Sequence, residues 1–202
     1  MPSGAYTVMD GEGKAVGTED FDLSRGLLGL HYTSSITTEL PEPHKETVDV
    51  FIHPDYRPLQ VRIDTWSNAV TVRLDHDPIT ATRNARDLQL PEEPWTEIDY
   101  LSPIFNGLTT VRMREDVAEF DVLYLEPVTC DAVHARQRYE RMWDELVTTP
   151  VGRFEGTRWR FTSLDSGFTR QLWAAGPVVL AFEGLYELES YSPGSMGPAP
   201  RD

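Results

Sequence analysis

The residues able to do chemistry are few and scattered. His31, His44, His53, His76 and His134 are the five histidines, and none falls at the spacing that brings two ring nitrogens onto one metal. His53-Pro54-Asp55 and Asp75-His76-Asp77 each offer nitrogen and oxygen donors. Both sit where strands should end, so turn roles are the simpler reading and no metal is expected. Cys130 is the single cysteine; a lone cysteine is more often a small buried apolar residue than a nucleophile. The chain contains no GxSxG elbow, no P-loop and no GxGxxG turn. No catalytic residue is therefore assigned, and no cofactor is expected.

The richest polar set lies in residues 98–141. Asp99, Ser102 and Asn106 decorate a bend, Arg112 follows on what reads as a short strand (111–114), and Tyr124 closes the next strand. A carboxylate, an amide and a guanidinium so placed can brace one another, because buried polar groups must find partners. They can equally line a cavity mouth, with Arg112 or Arg114 holding a carboxylate or phosphate through two hydrogen bonds. In the ligand reading the head of a bound molecule meets Asp99, Asn106, Arg112 and Tyr124, while its tail lies along Phe120 and Val122. Gln137 and Tyr139 carry the same two alternatives.

Strands must position this set. Leu59, Val61 and Ile63 alternate with Gln60, Arg62 and Asp64, and Val70, Val72 and Leu74 with Thr71, Arg73 and Asp75, as expected for antiparallel strands with one apolar face. Trp66-Ser67-Asn68 joins them in a hairpin. Residues 27–40 read as extended, residues 39–45 as a proline loop, and residues 79–86 as a polar edge strand. Ala118, Phe120, Val122 and Tyr124 alternate with Glu119 and Asp121, but Leu123 and Leu125 make the far end apolar on both faces, so that end should be covered twice. Strands return over 158–182, and the five tryptophans read mainly as core fillers.

One helix is expected within 131–147. Asp131 can cap it, and Ala132, Ala135, Tyr139, Met142, Trp143 and Leu146 follow at helical spacing. The expected architecture is mainly β: a curved antiparallel sheet forming a half-open barrel of about ten to twelve strands with one packed helix. Residues 1–191 form a single domain. Residues 192–202 (SPGSMGPAPRD) form a flexible tail that cannot bury apolar surface.

The order D-x-x-SP-x-x-N-x-L-x-x-x-R from Asp99 to Arg112, the alternating strand to Tyr124 and the run Gln137-Arg138-Tyr139 resemble a bacterial family labelled glycolipid-binding, a domain of unknown function likened to periplasmic lipid carriers. GTEDFDLSRG, YRPLQVRID and VVLAFEGLYELE extend the resemblance over roughly residues 15–190. It departs at Leu108-Thr109 and Arg112-Met113-Arg114, where the family tends to carry Leu-Pro and paired arginines. The resemblance implies a curved sheet around an apolar cavity that holds a lipid, a glycolipid or a similar amphiphile.

Composition narrows the partners. A net charge of −15 argues against nucleic acid and anionic membrane surfaces. One cysteine excludes an intrachain disulfide. No leader-like or long apolar run is visible, so the expectation is a cytoplasmic protein without stable membrane insertion, with a second copy of the chain left open as a partner. Two functions follow: binding of a hydrophobic or amphiphilic small molecule in a barrel cavity, or a cofactor-free cyclase or isomerase acting on a hydrophobic, polyketide-like substrate in the same cavity.

Overall fold

The computed structural model describes residues 2–26, 29–39, 43–194 and 198; most of the expected tail at 192–202 lies outside them. The chain opens with β1 (Ser3–Met9), β2 (Ala15–Arg25), β3 (Leu30–Thr38), β4 (His44–Ile52), β5 (Pro58–Asp64), β6 (Ala69–Arg73), β7 (Thr80–Arg83) and the two-residue β8 (Arg86–Asp87). Next come β9 (Glu97–Asp99), α1 (Pro103–Arg112) and β10 (Val117–Leu125). The remainder is β11 (Ala132–Thr149), β12 (Gly152–Ser163), β13 (Thr169–Ala175), β14 (Val178–Phe182) and β15 (Tyr186–Ser192).

All the strands join one 15-stranded sheet, ordered β8 to β1, then β15 down to β9. Neighbours are antiparallel except β9 and β10. Each alternating strand buries one row: Val61, Ile63, Val70 and Val72 are wholly or almost wholly buried, and Arg62 and Arg73 are exposed. The sheet curves but does not close, because β8 and β9 are its two free edges. Side chains fasten the ends instead. Thr65 Oγ1 and Asn68 Nδ2 donate to the Val128 carbonyl at 3.3 and 3.1 Å, and Arg83 pairs with Asp131. Leu123 and Leu125 are fully buried opposite Val122, also fully buried, so this end of β10 is covered on both faces as expected.

The helix is not where its apolar spacing placed it. Residues 132–149 form β11, the longest strand, whose register slips between Arg141 and Trp143. Odd-numbered positions face inward on both sides of that irregularity. Gln137 and Tyr139 are buried before it, and Val147 and Thr149 after it. Trp143 and Leu146, apolar but exposed, complete the spacing that imitates a 3.6-residue period. The extended alternative for Gln137-Arg138-Tyr139 is the one realised.

The real helix, α1, replaces the bend and the strand at 111–114. Ser102 is extended (φ −158°, ψ 136°) and Pro103 opens the first turn, where its missing N–H costs no hydrogen bond. Every residue from Pro103 to Thr110 is buried, so the helix has no wet face and no polar periodicity to betray it. Gly107 allows the closest approach: a Cβ there would stand 2.1 Å from the Pro177 carbonyl oxygen in the β13–β14 turn. Contacts to β11, β13 and β14, with the preceding Ser102 bonded to Glu19 of β2, place α1 inside the curve of the sheet.

Two tryptophans are not core fillers. Trp66, in the β5–β6 hairpin, and Trp143, beside the bulge, are 75% and 46% exposed. The strand count also exceeds expectation, because short edge strands such as β8 and β9 carry too few residues to show a period.

Candidate functional site

The segment from β9 through α1 sits on a buried polar floor. Glu19 of β2 is fully buried. Its Oε1 accepts from Ser102 Oγ at 2.6 Å and from Tyr32 OH at 2.8 Å, and its Oε2 makes no hydrogen bond among the described residues. Burial pushes the Glu19 carboxyl up to about 7; the hydroxyl donors of Ser102 and Tyr32 oppose that shift and nearby Glu46 adds to it. Glu46 of β4, also buried, accepts from Tyr100 OH, and His44 Nε2 lies 3.4 Å from its other oxygen. Two wall carboxyls thus hold the residues that lead into α1.

Asp99 and Asn106 join a second chain of hydrogen bonds. Gln137 Nε2 donates to Asp99 Oδ2 at 2.6 Å, the Tyr100 amide donates to Oδ1 at 2.8 Å, Tyr139 OH donates to Gln137 Oε1 at 3.2 Å, and Asn106 Nδ2 donates to Tyr139 OH at 2.9 Å. Burial raises the Asp99 carboxyl to about 6, against the hydrogen bonds from Gln137 and Tyr100. Tyr124 neighbours Asp99 across the parallel β9–β10 pair; burial first, then Asp99 and Glu126, raise its hydroxyl.

Arg112 stands apart from this chain. Its Nε donates to the Leu108 carbonyl at 2.9 Å, and its Nη2 pairs with Glu97 rather than Asp99. Thr109 Oγ1 also donates to Glu97 at 3.3 Å. Arg112 therefore closes the last turn of α1 and ties it to β9. Both partners are mostly buried, yet each also lines open space.

A cleft of about 420 Å³ lies on one side of the pair. It occupies the seam where the start of β5 and the residues just after β6 face the β9 edge without a ladder. Pro58, Leu59, Leu74, Ile79, Trp95 and Ile98 supply its apolar lining, and Arg57, Asp75, Glu97 and Arg112 its charges. On the other side a groove of about 340 Å³ runs between the end of α1 and β10, past Met113, Ala118 and Phe120. Phe120 stands edge-on to Tyr139 at 6.0 Å.

Of the polar and ligand-facing residues singled out in the sequence, Arg112, Arg114 and Phe120 reach these spaces. Asp99 and Asn106 lie in the buried chain, Val122 is wholly buried, and Tyr124 is half-buried beside Asp99. Sequence reasoning missed Trp95, Glu97, Leu59, Leu74 and Ile79 as one lining. Its only signal was an aromatic placed straight after two prolines, Pro91 and Pro94. The histidine turns carry no metal geometry: among the described residues no group of three or more His, Cys, Asp or Glu side chains could hold an ion. Cys130 is fully buried, and burial pushes its thiol up to about 11.

These features define a helix-filled, open antiparallel half-barrel. The same fold occurs in a crystal structure of a DUF1089 family protein from Pseudomonas aeruginosa, with a TM-score of 0.59 and 16% identity over 84% of this chain and 91% of that one. No protein-family model matches the sequence, and no curated protein matches it. Among the described residues no helix is long and apolar enough to cross a membrane.

Proposed function

We propose that the protein binds a small amphiphile in the seam cleft. The observation that carries this reading is the combination of an unclosed sheet edge, six apolar side chains and a charged pair around one space of about 420 Å³, within the usual range for small-molecule sites. The space is the seam rather than the concave interior, which α1 and its packing occupy. An apolar portion would lie along Leu59, Leu74 and Trp95 and supply most of the affinity, at about 25 cal/mol for each Å² removed from water. A head bearing hydroxyl groups suits Arg57 and Asp75, the exposed charges of the lining, since a hydroxyl can donate to the carboxylate and accept from the guanidinium. A glycolipid, as the family resemblance implies, has both parts. Binding is favoured over conversion because the two carboxyls with raised pKa, Glu19 and Asp99, lie in the buried network and do not line the cleft.

Native mass spectrometry of the purified protein, together with displacement of anilinonaphthalene sulfonate by monoacylglycerols and alkyl glycosides, tests the reading. Leu74→Glu should weaken displacement at least about tenfold, because it places a charge in the apolar lining, while the half-buried position keeps the thermal midpoint within a few degrees. If no amphiphile is retained or displaces the probe, or if Leu74→Glu changes nothing, the cleft is not a binding site.

A further inference from the structure

We infer that the Glu97–Arg112 ion pair is a partition that sets the length of the molecule the cleft accepts; this rests on the seam cleft being the binding site. Glu97 and Arg112 line both the cleft beside Leu74 and Trp95 and the groove beside Ala118 and Phe120. The wall common to the two spaces is therefore made of these two side chains, one reaching from β9 and the other from the last turn of α1. The second groove adds about 340 Å³ to the first space of about 420 Å³. With the pair closed, a chain entering past Ile79 and Trp95 ends against the guanidinium and carboxylate. With the pair absent, it continues toward Phe120.

The wall is held on both sides. Arg112 Nε is fixed to the Leu108 carbonyl at 2.9 Å, and Glu97 accepts from Thr109 Oγ1 at 3.3 Å as well as from Arg112. A mostly buried pair so anchored is costly to break one partner at a time, since the remaining charge is left unpaired. Apolar ligand surface gives no compensating hydrogen bonds, so an alkyl chain cannot open the wall itself. The partition should therefore act as a stop and not as a gate.

Monoacylglycerols with progressively longer chains, measured by displacement of anilinonaphthalene sulfonate, read this directly. Affinity should climb about fourfold for each added methylene while the chain is being buried, then level off where it meets the wall. In Glu97→Ala/Arg112→Ala, which removes both charges together, the levelling point should move to chains several carbons longer, with short chains bound as in the wild type to within a few fold. Glu97→Gln keeps the bulk of the wall and should leave the levelling point in place. An unchanged levelling point in the double variant overturns the inference. Ala118→Trp, in otherwise native protein, provides a test that does not depend on the double variant folding: it fills the second groove and should leave every chain's affinity unaltered, whereas a shortened levelling point would mean the two spaces already communicate. Failure of the wild type to bind any monoacylglycerol would instead remove the binding site itself.

Discussion

Residues 99–107 and the flanking pair Glu97 and Arg112 belong to one continuous segment but stand in different surroundings. The middle is locked: Ser102 and Tyr100 are tied to the buried carboxyls Glu19 and Glu46, Asn106 is tied to Tyr139, and Gly107 lies against the Pro177 carbonyl. The flanks are tied to each other and to the last turns of α1, and they face two open spaces. Each polar group in the middle is bound to the wall of the sheet, whereas the flanks occupy the place where the sheet has no wall. An open binding surface can exist here because the interior next to it is overdetermined. A rigid floor lets a cleft keep its shape without ladder hydrogen bonds across it.

Four changes would break or sharpen that contrast, beginning with the one expected to cost most. Val72→Asp buries an unpaired charge at a position with no exposure and should destabilise by about 5 kcal/mol, measured by urea unfolding. A much smaller cost would show that the inner face of β6 is wet and the floor less closed than described.

Gly107→Ala comes next. The added methyl meets a backbone oxygen that cannot rotate away, so α1 must shift, and about 3 kcal/mol should be lost. Because α1 carries Arg112, the variant should also alter probe binding in the cleft. Lost stability with unchanged binding would separate the floor from the site.

The buried carboxyl gives a pH signature. The Glu19 carboxyl is raised to about 7 in the folded protein, above its unfolded value of about 4.3, so the folded state holds more protons between these values. Stability contributed by the protonated group is fully present below the unfolded pKa and is lost as pH rises through about 7. The loss should be about 2 kcal/mol between about pH 5 and pH 7, and Glu19→Gln should remove that part of the slope. Asp99, raised to about 6, acts in the same direction at lower pH and remains in the variant. Identical pH profiles for variant and wild type would show that Glu19 is ionised in the fold. Smallest of all, Arg73→Gln on the outer face of β6 should change stability by less than about 0.5 kcal/mol; a larger loss would mean that this face is covered.

Much of the sheet was legible in the chain because period-two alternation is a local property. Val61, Ile63, Val70 and Val72 declare their face without reference to anything distant. The hairpin at 66–68 and the double covering of Leu123 and Leu125 follow from equally local patterns. The helix did not, for two opposite reasons. A helix buried on every side shows no polar stripe, and Gly107, Thr109, Thr110 and Val111 lower its intrinsic propensity; a strand with apolar residues on its exposed face, by contrast, can imitate helical spacing, as β11 does with Trp143 and Leu146.

Within the candidate site, Arg112 and Phe120 were visible as residue types, but their neighbours were not. Glu97 reads as any surface acid until β9 and α1 come side by side, and Glu19 is one of 33 acidic residues until the curve of the sheet encloses it. Local sequence determined which faces of the strands are apolar, where the chain turns, and that a curved β architecture with one helix results. Tertiary structure alone decided which carboxyls lose their water, which arginine meets which acid, and where the sheet stays open, because each of these depends on groups far apart in sequence sharing one desolvated space.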